Sequence, residues 1–348
     1  MRYFKILPLA LLLAVGLPHA SAQAVVEWQL TDDAVSLGMN GASPHVVQTA
    51  SGDRVFRSDM VPSGTAVSMC TDAGTCTSET LSVSGSPISD FAIEITPSGV
   101  RAYFKRTDMA SNTQAVYSAA CGDASCLSFG TATIASSEMQ VSKDTKAWGV
   151  PDPVRLPDGR VRIYIVESPS LDSSCPEKVA SYISRDGISF TKEPGWRLEN
   201  GYVDTEVLRA KDGDWLMIMA DGPGCTTTSG ARKVQQLFVS TSNDGLTWAK
   251  PQVLTKTDIG RLDPTGYEVS PNVFRIYYAA GGAGAFDPNT VYSIKRATMR
   301  IADTAKGGDV GVTKTPAAKA KTKAITCVKG KTVKKFTATR CPTGWKKK

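Results

Sequence analysis

The sequence predicts an all-β protein, a five-bladed β-propeller whose ring is closed by an N-terminal strand. Three observations carry this. A carboxylate–turn–strand frame repeats along the chain, the repeats are spaced by about one blade, and the segments flanking the first and last repeats make up one further period. Few stretches after the first two dozen residues show helical apolar spacing. Short alternating runs bounded by Gly, Asn, Asp or Pro recur instead.

The frame is clearest in Val150–Tyr164, VPDPVRLPDGRVRIY, and Val203–Ile218, VDTEVLRAKDGDWLMI. Asp152 lies six residues before Asp158-Gly159, and Glu206 six before Asp212-Gly213; an alternating apolar strand follows each turn. Weaker copies place His45 before Ser51-Gly52, Ala92 before Ser98-Gly99 and Thr265 before Pro271-Asn272. The five anchors are spaced by 47, 60, 54 and 59 residues. Residues 23–44 and the 37 residues after the last anchor, to 302, together make 59, one period. A strand near Val25–Leu30 is therefore expected to complete the last blade.

Two hairpins close with one turn pattern, Ser184-Arg185-Asp186-Gly187-Ile188-Ser189-Phe190 and Ser242-Asn243-Asp244-Gly245-Leu246-Thr247-Trp248. The Asp accepts turn N–H groups, Gly takes the unusual dihedral and the aromatic packs beneath. These turns resemble the Asp-box of sialidases and related propellers. Degenerate copies, Cys70-Thr71-Asp72-Ala73-Gly74-Thr75-Cys76 and Cys121-Gly122-Asp123-Ala124-Ser125-Cys126, are expected to be tied by disulfides. Cys327/Cys341 is a third near pair, leaving Cys175 with Cys225 on two successive loops. No Cys-x-x-Cys occurs, which speaks against structural zinc.

The ends differ from the body. Arg2 and Lys5, the apolar run Ile6–Leu17 and Ala20-Ser21-Ala22 read as a signal peptide over 1–22. Twelve apolar residues broken by Pro8 and Gly16 are too few to span a bilayer. The expectation is a secreted, extracellular or envelope-associated protein without a transmembrane segment. The propeller occupies 23–302, a linker 303–324 and a basic Cys-hairpin tail 325–348. That tail, ITCVKGK…CPTGWKKK, resembles one found on exported bacterial proteins. The formal charge of +7 divides unevenly: residues 303–348 hold 13 Lys and Arg against two acids, a net +11, whereas 23–302 stand at −6. A nucleic-acid-binding body needs its cations on the folded surface, so that class is excluded. The basic tail suits an anionic envelope polymer.

In a propeller the first strand of each blade borders the channel. The anchors and the residues two upstream (Ser43, Asp90, Val150, Asp204, Asp263) then face one mouth, with Asp90, Asp152, Asp204, Glu206 and Asp263 supplying five carboxylates. Each alone reads equally well as a strand-entry turn residue; their convergence points to a site. Loops after the second strands add Arg57, Lys105, Arg106 and Glu167, and Trp148 is placed to stack on a sugar ring or pack in the rim.

The repeat over 25–302 resembles five-bladed glycosidases of the arabinanase and β-xylosidase type. The resemblance implies a glycan ligand, with Glu206 as general acid and Asp152 as the carboxylate that tunes it. The first blade departs from that pattern: it reads Ala42-Ser43-Pro44-His45 where the family has an Asp base. Asp90 is the first substitute, with Asp263 or His45 behind it. The sialidase resemblance in the turns would require an arginine cluster. Arg57, Arg106, Arg162 and Arg275 are candidates, but the Arg-Ile-Pro signature is missing. Two functions follow: a glycoside hydrolase-like enzyme using paired carboxylates, or a non-catalytic carbohydrate-binding propeller with a decayed site. Neither requires a cofactor; a channel Ca²⁺ on carboxylates and carbonyls is compatible with both.

Overall fold

The computed structural model describes residues 26–302 apart from 61–62, 83–87, 109, 112, 143–146, 169–176, 211, 223–232 and 283–289, and in the tail 325–329, 332–336 and 346–347. The expected signal peptide, the linker, Cys175, Cys225 and Cys341 lie outside these residues, as does the side chain of Trp148. The chain divides into a unit ending at Ala302 and a second from Asp303 to Lys348.

The first unit is a five-bladed β-propeller. Its N-terminal strand β1 (Trp28–Asp32) belongs to the last blade. Blade 1 joins β2 (Ala42–Thr49), β3 (Gly52–Met60), β4 (Ser63–Cys70) and β5 (Cys76–Glu79). Blade 2 joins β6 (Ser89–Thr96), β7 (Gly99–Asp108) and β8 (Thr113–Ala120), with the short β9 (Thr133–Ile134) and β10 (Gln140–Ser142) both on β8. Blade 3 runs β11 (Ala147–Arg155), β12 (Val161–Glu167), β13 (Lys178–Ser184) and β14 (Thr191–Lys192). Blade 4 runs β15 (Tyr202–Arg209), β16 (Trp215–Asp221), β17 (Leu237–Ser242) and β18 (Gln252–Val253). Blade 5 is β19 (Gly260–Ser270), β20 (Val273–Gly281), β21 (Ser293–Ile301) and then β1, which pairs antiparallel with β21 from Trp28↔Ile301 to Asp32↔Ala297. The innermost strands touch in sequence around a ring, β2 against β6 and β19, β11 against β6 and β15, and β15 against β19.

The second strands of blades 3 and 4 are the most apolar because both their faces are covered by neighbouring blades. Every residue of β16 is buried, and so are the first six of β12. Three seams between blades are cores in their own right, and the two seams of blade 5 merge into one. Phe56 and Val67 pack with Phe91, Phe104 and Phe129, Tyr103 and Val116 with Ile163, Ile165 and Phe190, and Tyr164 with Val207, Trp215 and Met217.

The outer turns add polar seams. In the two Ser-x-Asp-Gly turns, Asp186 Oδ1 accepts the N–H groups of Ile188 and Ser189 at 2.8 and 3.2 Å, and Asp244 Oδ1 those of Leu246 and Thr247 at 2.7 Å each. Gly187 and Gly245 hold φ of 77° and 68°, the left-handed region open to glycine. Their carbonyls accept the hydroxyls of Tyr103 and Tyr164 from the preceding blade, at 2.6 and 2.7 Å. In two other blades an arginine two residues earlier on the second strand grips the next turn. Arg54 donates to the Ser125 carbonyl at 3.2 Å, and Arg275 to Asp72 at 2.6 Å. Disulfides Cys70–Cys76 and Cys121–Cys126 close those two turns, as expected. Blade 4 has Leu216 and Ile218 where the others have Arg and an aromatic. The reason is topological: its neighbour's outer corner is made of the start of β1 and the end of β21, which no turn joins. In the tail unit, β22 (Ile325–Lys329) pairs with β23 (Thr332–Phe336) and β24 (Lys346–Lys347).

Candidate functional site

Each innermost strand begins with the same defect. Ser43, Asp90, Val150, Asp204 and Asp263 have φ between 44° and 54°. At each, two residues oppose one on the second strand, as where Ala42↔Ser58 is followed by His45↔Phe56. These are β-bulges, which re-aim side chains where a strand enters a sheet. Asp tolerates left-handed backbone better than most residues, and three of the five are Asp; Val150 is β-branched and strained there. The row read from sequence as a channel rim is thus a row of bulges.

The bulges and anchors surround one pocket of about 300 Å³, open space at its mouth included. Its lining includes Ser43, His45, Asp90, Val150, Asp152, Glu206 and Asp263, with Pro44, Phe91, Pro151, Thr205 and Pro264 between them. Asp204 joins this cluster through a hydrogen bond to Asp263. Arg57, Arg106 and Glu167 are not brought to it. Arg57 donates to the Asn40 carbonyl and Ser68, Arg106 lies over the Phe104 and Tyr117 rings, and Glu167 binds Tyr182 and Lys192.

The anchors form a ladder around the axis. A side-chain acceptor on one blade takes the N–H one residue past the anchor of the next. His45 Nε2 accepts from Ile93 at 3.1 Å, Asp152 Oδ2 from Val207 at 2.7 Å, Glu206 Oε1 from Gly266 at 3.3 Å and Thr265 Oγ1 from Val46 at 3.4 Å. The fifth rung is absent from both sides: Ala92 has no acceptor, and the residue facing it, Pro153, has no N–H. The bulge row has its own links. Ser43 donates its N–H to Asp263 Oδ2 and its hydroxyl to Asp90 Oδ1, both at 2.8 Å. Lys105 reaches Asp90 Oδ2 at 2.6 Å. A Cβ on Gly149 would meet both Asp90 and Lys105 at 2.6 Å, so this ion pair requires glycine there.

Burial decides the proton affinities. Asp152 and Glu206 share a hydrogen bond. Loss of water pushes Glu206 up to about 7, and loss of water plus the Glu206 charge holds Asp152 well above the usual carboxylate range. Asp204 and Asp263 form a second such pair. Burial lifts Asp263 to about 6, and burial with the Asp263 charge holds Asp204 well above the usual carboxylate range. Each pair titrates as a unit. His45 is pushed down to about 4 by burial. Since its Nε2 accepts the Ile93 N–H, the proton of the neutral ring sits on Nδ1.

The site therefore stores protons beside its opening, as a general acid requires. Two carboxyl groups joined by a hydrogen bond are too close to flank a glycosidic bond, which takes separations of about 5 Å or more. Asp152 and Glu206 therefore cannot be the two separated carboxyls of such a reaction. Asp90 already receives Ser43 and Lys105 on its two oxygens. Among the described residues no group of three or more His, Cys, Asp or Glu is arranged to hold a metal ion. Sequence reasoning placed Lys105 on the rim but missed its pairing, and missed Glu94 altogether, because that residue stands two places past an anchor that is itself only alanine.

Comparison with solved structures places the fold. A thermostable family-43 glycoside hydrolase matches with TM-score 0.55 at 12% identity, covering 83% of this chain and 99% of its own. The family-43 endo-arabinanase of Bacillus licheniformis matches with TM-score 0.54 at 13% identity, over 76% and 95%. An N-acetylgalactosamine deacetylase from F. plautii, solved with blood group B trisaccharide, gives 0.54 at 12%, over 74% and 89%. At such identities the likeness is one of fold. No protein-family model and no curated protein sequence matches the chain.

Proposed function

We propose that this is an exported, glycoside hydrolase-like propeller that binds a glycan at its axial mouth, with Glu206 delivering the proton to the leaving oxygen and Asp152 setting its acidity. One observation carries the reading: a buried carboxyl pair, hydrogen-bonded together, holds a proton near neutral pH on a pocket at the ring axis. The similar solved propellers include an arabinanase complexed with arabinohexaose, from Cellvibrio cellulosa, which makes a polysaccharide the first ligand to try. Asp90 and Asp263, both on the same pocket, are the candidate bases. The test is hydrolysis of aryl-glycoside and polysaccharide panels. Activity is expected to fall by about 10³-fold in Glu206→Gln; turnover that survives the change removes the assigned acid.

A second reading, a glycan-binding module without turnover, is favoured by the first blade. His45 stands at the position of the family's base, yet its Nε2 is committed to the Ile93 N–H. Binding on a glycan array with no hydrolysis of any panel member would select it. Export and envelope attachment through residues 303–348 belong to the proposal. Deleting that tail is expected to move protein from the cell envelope to the medium, and an unchanged distribution removes the attachment.

A further inference from the structure

Glu94 shows what became of the missing rung. It lies two residues past Ala92 on β6, so it faces the same way one step further along the axis. The equivalent residues of the other blades are Val47, Val154, Leu208 and Tyr267, so Glu94 is the only charged member of its row. Its Oε2 accepts the N–H of Arg155 at 2.9 Å, and its Oε1 that of Ile95 at 2.6 Å. Arg155 is three residues past Asp152, and the ordinary rung uses the residue one past the anchor. Donor and acceptor have both moved two places along their strands, which preserves the rung while relocating a carboxylate beneath Asp152 and Glu206.

We propose that Glu94 is a further carboxylate behind the site, a positioning residue whose charge sets how tightly the Asp152–Glu206 pair holds its proton. The groups around that pair are Glu94 from β6, His45 from β2, Tyr164 from β12 and Thr265 from β19; Arg155 and Arg101 flank Glu94 itself. The carboxylate of Glu94 raises the proton affinity of both members of the pair by charge repulsion, while Arg155 partly offsets the charge of Glu94. The inference deepens the acid role given to Glu206, but its test does not depend on turnover.

Glu94→Gln removes the charge and keeps an oxygen for the Arg155 N–H. Thermal unfolding is followed from pH 5 to 9 in the wild type, Glu94→Gln, Asp152→Asn/Glu206→Gln and the triple variant. Glu94→Gln is expected to raise the Tm at pH 9 relative to pH 5, and most of that gain should vanish in the Asp152→Asn/Glu206→Gln background. An equal gain in both backgrounds means Glu94 relieves only its own burial and overturns the proposal; an equal loss at every pH reduces it to a structural bond. If Glu94→Gln does not fold, carboxyl ¹³C NMR of the wild type decides. Glu206 should titrate with an extra inflection where Glu94 ionises, and a single-step curve overturns the proposal. Where hydrolysis is present, the alkaline limb of kcat should move to lower pH with KM unchanged. If no substrate is found, the unfolding and NMR results still stand.

Discussion

Asp244 and Asp263 are the same residue in the same ring with opposite chemistry. On its exposed outer turn, Asp244 accepts two backbone N–H groups, which hold its carboxyl down at about 2. At the axis, burial lifts Asp263 to about 6. Asp186 and Asp204 repeat the contrast, one lowered and one raised. Donors near water favour the charge, while burial among like charges opposes it. The outer turns thus lose their hold in acid and the axis loses its hold in alkali. For the axis, the folded values of about 6 and 7 for Asp263 and Glu206 stand above their ordinary 3.8 and 4.5. Their contribution is complete below about pH 4 and is lost as the pH rises through 6–7. For Asp244 the folded value lies below the ordinary one, so its contribution is present above about pH 4 and lost as the pH falls toward 2.

Asp53 is where this contrast should break first, since it is as buried as the axis but as well supplied with donors as a turn. Tyr267 and Tyr277 donate to it at 2.6 and 2.5 Å and Arg275 at 3.1 Å, across the seam between the last and first blades. Asp53→Ala leaves these groups without their shared acceptor. Denaturant unfolding is expected to report a loss of about 3–5 kcal/mol. Next is Asp263→Asn, which keeps an oxygen for Ser43. Chemical denaturation at pH 8 should show a gain on the order of 2–3 kcal/mol over wild type that disappears at pH 4; a gain of equal size at both would mean that burial of charge is not the axis's weakness. Asp244→Ala should cost about 1 kcal/mol at pH 7, the worth of a side-chain cap, and progressively less as the pH falls through 2. Smallest is Val150→Asn, which relieves a β-branched residue in left-handed backbone. Calorimetry should show a gain of up to about 1 kcal/mol, roughly 2 °C in Tm.

Much of the fold was readable because each blade repeats an anchor, a turn and a strand. The spacing gave the blade count, and the leftover ends matched the pairing of β1 with β21. The convergence of Asp90, Asp152, Asp204, Glu206 and Asp263 on one cluster was readable for the same reason. Other features depend on partners distant in sequence. Nothing near Asp152 announces that Val207 donates to it, or that it shares a proton with Glu206. Arg57, Arg106 and Glu167 were placed at the rim by strand position alone. Their side chains instead turn to carbonyls, rings and a lysine of the surrounding sheets. The compensation between Ala92 and Pro153 appears in sequence as two unrelated residues.

The pairing of β1 with β21 also sets a timetable. Trp28 and Ile301 stand 273 residues apart. At roughly 5–20 residues per second of synthesis, the first strand waits on the order of 15–50 s for its partner. During that interval blades 1 to 4 can assemble from local hairpins while β1 remains an unpaired edge, open to strands of other chains. The last event in folding is then the meeting of the two ends, and the yield of folded protein should depend more on the lifetime of that open ring than on the stability of any one blade.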